Sequence, residues 1–131
     1  MDVEQLKNEL APTFIKYPDE IVAAYLFGST AKGETSPESD IDIAVLARNS
    51  DKKNEAALKF CLYADLCRAL KRNDIDLVLL SLSGNLILND EIVRHGIVLY
   101  SIDDEAREKF ELKVLHCSID FRFQRQYAMG V

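Results

Sequence analysis

Apolar residues recur along the chain with two different periods. Ile21 to Phe27 is a continuous apolar run, rich in β-branched and aromatic residues, that stops at Gly28. This is the pattern of a strand buried on both faces. Asp40 to Leu46 alternates and then becomes wholly apolar, Asp74 to Leu80 repeats the same grammar, and Ile97 to Tyr100 supplies another short run; each reads as a strand entering a core. Between them the period changes. Val3, Leu6 and Leu10 describe one face of a short helix that Pro12 is expected to interrupt or kink. Leu58, Cys61, Leu62, Leu66 and Ala69 mark an amphipathic helix of about four turns, preceded by a charged loop over Asn49 to Asn54. A shorter helical piece around Asp90 to Arg94 ends at His95-Gly96, where glycine suits a C-terminal cap. Strands alternating with helices predict an α/β fold.

The last helix, about residues 103–127, opens with Asp103, Asp104 and Glu105, whose charges complement its positive dipole end. Its apolar residues form two stripes. Phe110, Val114, Cys117 and Phe121 make one, Leu112, Leu115, Ile119 and Phe123 the other, and at about 100° per residue the two lie on opposite faces. A small sheet covers only one. The second is either sealed by the N-terminal helix or docks on a separate chain, because a contiguous exposed apolar strip is rare on a monomer.

Length and charge bound what such a fold does. At 131 residues the chain is sized for one domain, residues 1–131, with one core. Lysine and arginine number 16 against 22 acidic residues, a net charge of −6 that repels a polyanion, so direct nucleic-acid binding is not expected. The acidic start and strand-sized apolar runs predict neither a secretion signal nor a membrane span, and a cytoplasmic protein is expected. Cys61, Cys67 and Cys117 are an odd set without metal spacing and read as buried thiols; His95 and His116 are too scattered to join them in a cluster.

The chemistry gathers after the first strand. Gly28 at a strand end lets backbone N–H groups approach a ligand closely, and Ser29 adds an N–H and a hydroxyl for phosphate oxygens. Asp40 and Asp42, two apart on a strand, send both carboxylates to one face. Asp76 occupies a similar position on another strand and brings a third carboxylate if the two strands pair. Like charges at ~4 Å repel by about 4 kcal/mol at an effective dielectric near 20, so a cation between them is expected. Mg²⁺ takes oxygen ligands from one or two carboxylates plus substrate phosphates, and two such ions clamp both the attacking and leaving oxygens of an in-line displacement. Asp74 stands two residues from Asp76 but at the strand's edge, where it reads as a solvated turn residue; Lys71, Arg72 and Arg94 read as solvated charges within possible reach of phosphate.

Gly28-Ser29, ten residues, Asp40-Ile41-Asp42 and a later strand aspartate together resemble the nucleotidyltransferase superfamily of polymerase β type. The resemblance covers roughly Ile21 to Tyr100, and its specific parts are Leu26 to Leu46 and Asp74 to Leu80. It implies a small nucleotidyltransferase fold, with a mixed sheet of about four to five strands flanked by helices. It further implies that Gly28 and Ser29 hold the triphosphate of ATP, that Asp40 and Asp42 bind two Mg²⁺ ions, and that Asp76 helps bind metal and activate an acceptor hydroxyl. Lys32 stands where many members have arginine, offering phosphate a point charge without the bidentate fork.

The small size resembles the minimal-nucleotidyltransferase branch, paired as antitoxins with HEPN ribonuclease toxins. That resemblance implies AMP transfer from ATP to a tyrosine of the toxin, within a hetero-oligomer. Alternatives are an aminoglycoside-type small-molecule enzyme, which usually carries a further helical domain, and a non-catalytic antitoxin that acts by binding alone.

Overall fold

Four segments with the expected strand pattern pair into one mixed sheet. The computed structural model describes residues 3–28, 40–48, 52–82 and 84–128, the side chains of 52, 53, 118 and 120–128 excepted. In chain order the elements are α1 (Val3–Ile15), β1 (Ile21–Phe27), β2 (Ile41–Ala47), α2 (Lys52–Leu70), β3 (Ile75–Leu80), α3 (Leu86–His95), β4 (Ile97–Ser101) and α4 (Asp104–Ala128). The strands lie in the order β3-β2-β1-β4. β1 runs antiparallel to both neighbours, whereas β2 and β3 are parallel, with α2 as the crossover a parallel pair requires.

Alternation along the strands divides their side chains between two cores. On one face Ile21, Ala24 and Leu26 of β1, Ile41, Ile43 and Val45 of β2, and Ile75 and Leu77 of β3 pack with Leu6, Leu10 and Phe14 of α1 and Leu62, Leu66 and Leu70 of α2. On the other, Tyr25, Ala44, Leu46 and Leu80 meet Ile92 of α3 and Phe110 and Val114 of α4. Both faces of the central strands are thus covered, which is why β1 is an unbroken apolar run rather than an alternating one.

Three local features depart from expectation. α1 continues through Pro12 to Ile15. Pro12 forfeits the bond to the Asn8 carbonyl, but Thr13 and Phe14 beyond it are buried, and Phe14 stacks on Tyr100 with ring centroids 5.5 Å apart. Burying a phenylalanine is worth about 1.5–3 kcal/mol, comparable to the roughly 3 kcal/mol that a helix-interior proline costs, and with Leu10 and Thr13 also buried the last turn holds. α2 begins at Lys52, inside the segment expected to be a loop, and its buried row is Leu58, Leu62, Leu66 and Leu70. Cys61, expected in that row, lies exposed on the outer face, while Cys67 and Cys117 are half-buried; none of the three is a fully buried thiol.

Helix ends fix the loops that lead into the strands. Asn85 accepts hydrogen bonds from the backbone N–H groups of Ile87 and Leu88 and starts α3. Asp103 does the same for Ala106 at the start of α4 and also pairs with Arg48 at 3.1 Å. Gly96 ends α3 by donating its N–H to the Ile92 carbonyl at 2.8 Å, with an extended rather than left-handed backbone. The glycine is needed for space: a Cβ there would stand 2.4 Å from the Ile92 carbonyl oxygen and 3.2 Å from that of Leu26. At the end of α2, Lys71 adopts a left-handed φ of 54° and Arg72 donates its N–H back to the Cys67 carbonyl at 3.2 Å, closing the helix so that the chain turns directly into β3.

Candidate functional site

β1 and β2 run antiparallel with Phe27 opposite Asp42, and β2 and β3 run parallel with Asp42 opposite Asp76. The end of β1 and the beginnings of β2 and β3 therefore share one edge of the sheet. Neighbouring strands stand ~4.8 Å apart, and residues in register send their side chains to the same face. Asp42 and Asp76 are thus adjacent carboxylates on the face that carries α3 and α4. Asp40 precedes β2 by one residue and lies exposed on the same side of the sheet, by the two-residue period.

Gly28 closes this edge. Its φ of 73° lies in the left-handed region, and a Cβ placed there would come within 2.1 Å of Asp42 Oδ2. Glycine is therefore required twice, by the backbone and by the carboxylate packed against it. Its position at a strand end suits close approach of a ligand, and its first neighbour in the fold is Asp42 itself.

Asp42 bears the electrostatic signature of the cluster. Partial burial, then the charges of Asp76 and Asp40, raise its carboxyl above the ordinary value. Among the described residues no three histidine, cysteine or acidic side chains are gathered tightly enough to ligate one ion. Asp40, Asp42 and Asp76 thus share one face of the sheet without converging on a single point. What they offer is a set of hard oxygen donors on one face with an excess of negative field, and that donor set fits Mg²⁺ in kind.

Arg72, which by sequence reads as a solvated charge, is a neighbour of the site. It pairs with Asp74, which raises its guanidinium pKa first through that hydrogen bond and further through the charges of Asp74 and Asp40. Asp74 is accordingly an arginine partner rather than a free turn carboxylate, and its backbone carbonyl accepts from Ile41 N–H at 3.0 Å, joining β3 to β2 beside the site. The signal was the basic pair Lys71-Arg72 before β3; the left-handed turn at Lys71 is what directs it. Arg94 pairs instead with Asp90 at 2.7 Å on α3. Ser29 and Lys32, the other expected phosphate ligands, lie outside the described residues.

α4 resolves the question of its two stripes. Phe110 and Val114 are buried against the sheet, whereas Leu112 and Ile119 are 58% and 56% exposed and Leu115 is half-buried. α1 lies across the sheet, packed on α2 and β4, so it does not seal the second stripe. Phe121 and Phe123, also expected in the stripes, lie outside the described side chains. Partly buried polar anchors tie α4 down: Tyr25 OH donates to Glu111 at 2.8 Å, and Arg107 donates to the same carboxylate at 2.8 Å. No helix among the described residues is long and apolar enough to cross a membrane.

Several solved structures share this architecture. A chain from a toxin-antitoxin complex with AMP-PNP superposes with a TM-score of 0.73 at 29% identity, covering 95% of this chain and 95% of that one. A chain from the complex of tri-AMPylated Shewanella oneidensis HEPN toxin with MNT antitoxin gives 0.68 at 27% identity, covering 98% and 96%. A chain from the MntA-HepT toxin-antitoxin complex gives 0.68 at 26% identity, covering 97% and 96%. No curated protein sequence matches the chain. The family model for polymerase beta nucleotidyltransferases matches residues 8–105, three-quarters of the length and all of the carboxylate edge, and the chain belongs to that family.

Proposed function

We propose that this protein is a Mg²⁺-dependent protein adenylyltransferase that acts as an antitoxin, moving AMP from ATP to a tyrosine of a HEPN-type ribonuclease partner. The observation that carries the reading is the register pair Asp42 and Asp76 beneath Gly28 at the open edge of the sheet. The acceptor is suggested by the likeness to chains from complexes with AMP-PNP and with an AMPylated HEPN toxin. The exposed stripe of Leu112 and Ile119 supplies a surface for such a partner.

In this reading Gly28, Ser29 and Lys32 hold the triphosphate, while Asp40, Asp42 and Asp76 hold Mg²⁺. The metal, when bound, supplies charge neutralisation at the phosphates and lowers the barrier to in-line displacement. Asp42 Oδ2 packs against Gly28, which sets its carboxylate beside the end of β1. The tyrosine oxygen forms a bond to the α-phosphorus as the bond from that phosphorus to the bridging oxygen breaks, releasing pyrophosphate. Asp76, exposed on the outer strand, accepts the hydroxyl proton or passes it to solvent.

The test is intact-mass analysis of the neighbouring gene's product after incubation with this protein, ATP and Mg²⁺. AMP on tyrosine is expected, and Asp42→Asn should abolish it. A Leu112→Asp, Ile119→Asp variant should lose the partner while its thermal midpoint stays near wild type, since exposed substitutions usually cost less than about 0.5 kcal/mol. Neutralisation that persists in Asp42→Asn with an unmodified partner would replace catalysis by occlusion.

A further inference from the structure

We infer that the outer edge of β3, with the exposed face of α2 beside it, is the seat for an extended segment of the partner chain that bears the acceptor tyrosine. This rests on the function proposed above and names where its acceptor binds.

β3 is the terminal strand of the sheet, and among the described residues nothing pairs with its outer side. The direction of its backbone groups follows from one bond: Ile41 donates to the carbonyl of Asp74. In a parallel ladder these groups alternate, so Asp74 and Asp76 face β2 while the N–H and C=O of Ile75 and Leu77 face outward. An unpaired edge of this kind is a template for an added strand, and proteins usually blunt it. Here it is left open beside a groove of about 440 Å³ whose walls include Lys59, Phe60 and Tyr63 of α2 and Ile75, Asp76 and Leu77 of β3. Phe60 is 78% exposed, and Tyr63 donates its hydroxyl to the Asn73 carbonyl at 3.0 Å, which holds its ring in the groove wall.

Asp76 belongs both to this groove and to the carboxylate edge, so the two are continuous. That continuity selects the occupant. A strand added along β3 sends alternate side chains to opposite faces. The residue opposite Asp76 shares the face of Asp42 and Asp76, where a tyrosine would present its hydroxyl to the carboxylates. Its immediate neighbours turn to the other face, toward Phe60 and Tyr63, and apolar residues suit them. Main-chain bonding to Ile75 and Leu77 makes the seat tolerant of sequence, with the tyrosine and its apolar flanks setting the register.

The experiment uses the full complex with ATP and Mg²⁺. Phe60→Glu changes an exposed residue outside the carboxylate cluster. It is expected to slow single-turnover AMP transfer at saturating partner by about tenfold or more, because the acceptor segment is seated less often while the stripe of Leu112 and Ile119 still holds the partner. Partner affinity and the thermal shift on adding ATP and Mg²⁺ should stay at wild-type values. A photo-crosslinking phenylalanine analogue at position 60 should attach to the segment that carries the modified tyrosine. Wild-type transfer in Phe60→Glu, or a crosslink to a remote part of the partner, overturns the seat while leaving the adenylyltransferase reading intact. Failure of the wild-type protein to modify any partner tyrosine overturns that reading and the seat with it.

Discussion

Replacing Gly28 by alanine probes the carboxylate edge without removing a carboxylate. Two costs follow from the geometry. A φ of 73° places an alanine in the left-handed region, at roughly 1–2 kcal/mol, from which the reduced freedom of the unfolded chain returns about 0.4–1 kcal/mol. The new Cβ would also meet Asp42 Oδ2 at 2.1 Å, a separation that real Cβ atoms do not show, so the Asp42 side chain must move off its position. Forcing a side chain off its rotamer costs about 0.5–1.5 kcal/mol. Together these come to about 2 kcal/mol, and for a domain of this length a fall in thermal midpoint of roughly 5–10 °C.

The clash part is separable by a double-mutant cycle. In an Asp42→Ala background the new Cβ has no carboxylate to meet, and Gly28→Ala should then cost only its backbone part, about 1 kcal/mol. Chemical denaturation of the four proteins without divalent cations gives the coupling. Transfer by the single Gly28→Ala variant should fall by roughly a hundredfold, because displacing a positioning group by about 1 Å costs that much. An equal stability cost in both backgrounds, together with a normal transfer rate, would show that Asp42 is not packed against this glycine and would remove the central geometric argument for the site.

Two further perturbations test the supports around that edge. Tyr25→Phe deletes the hydroxyl that donates to Glu111 but leaves Arg107 on the carboxylate, and a bond to a charged acceptor predicts about 1.5–2 kcal/mol lost in urea denaturation; a loss under about 0.5 kcal/mol would mean that Arg107 alone holds α4. Asp103 has its carboxyl held below the ordinary value, first by the Ala106 N–H and then by Arg48, so its contribution is present above the unfolded value near 3.9 and is lost as pH falls through the lower folded value. The midpoint gap between wild type and Asp103→Asn should therefore be constant above about pH 5 and close in more acid solution, and a gap that widens there contradicts the assignment.

The parts of this fold that were legible in the sequence are those where burial acts on every turn or every second residue. β1 is covered on both faces and therefore reads as a solid apolar run, with the same bounds, Ile21 to Phe27, in sequence and structure. α2 was recognised from its leucines but begins earlier than they do, because Lys52, Lys53 and Asn54 form a polar first turn that carries no apolar periodicity. Pro12 misled in the opposite direction: a local rule against prolines was overridden by the burial of Phe14, which depends on β4 and Tyr100 far along the chain.

The candidate site divides in the same way. That Asp40, Asp42 and Asp76 belong together could be argued from residue type and strand grammar, since a parallel pairing of β2 and β3 is what a helical crossover permits. The contact of Gly28 with Asp42 could not, because it requires the antiparallel register that sets Phe27 opposite Asp42. Arg72 was missed for a similar reason, its direction being set by one left-handed residue. The two stripes of α4 posed an alternative that only topology could decide. Once α1 enters β1 from the side that carries α2, the opposite side of the sheet belongs to α3 and α4 alone. Nothing in the described chain then remains to cover Leu112 and Ile119. A helix whose inner face is pinned by Tyr25 and Glu111, and whose outer face carries Leu112 and Ile119 among charged residues, presents that outer face in a fixed orientation relative to β1, the strand that delivers Gly28 to the carboxylates. A partner docked there is consequently held at a constant distance from the site, and that arrangement suits a protein acceptor better than a diffusing small molecule.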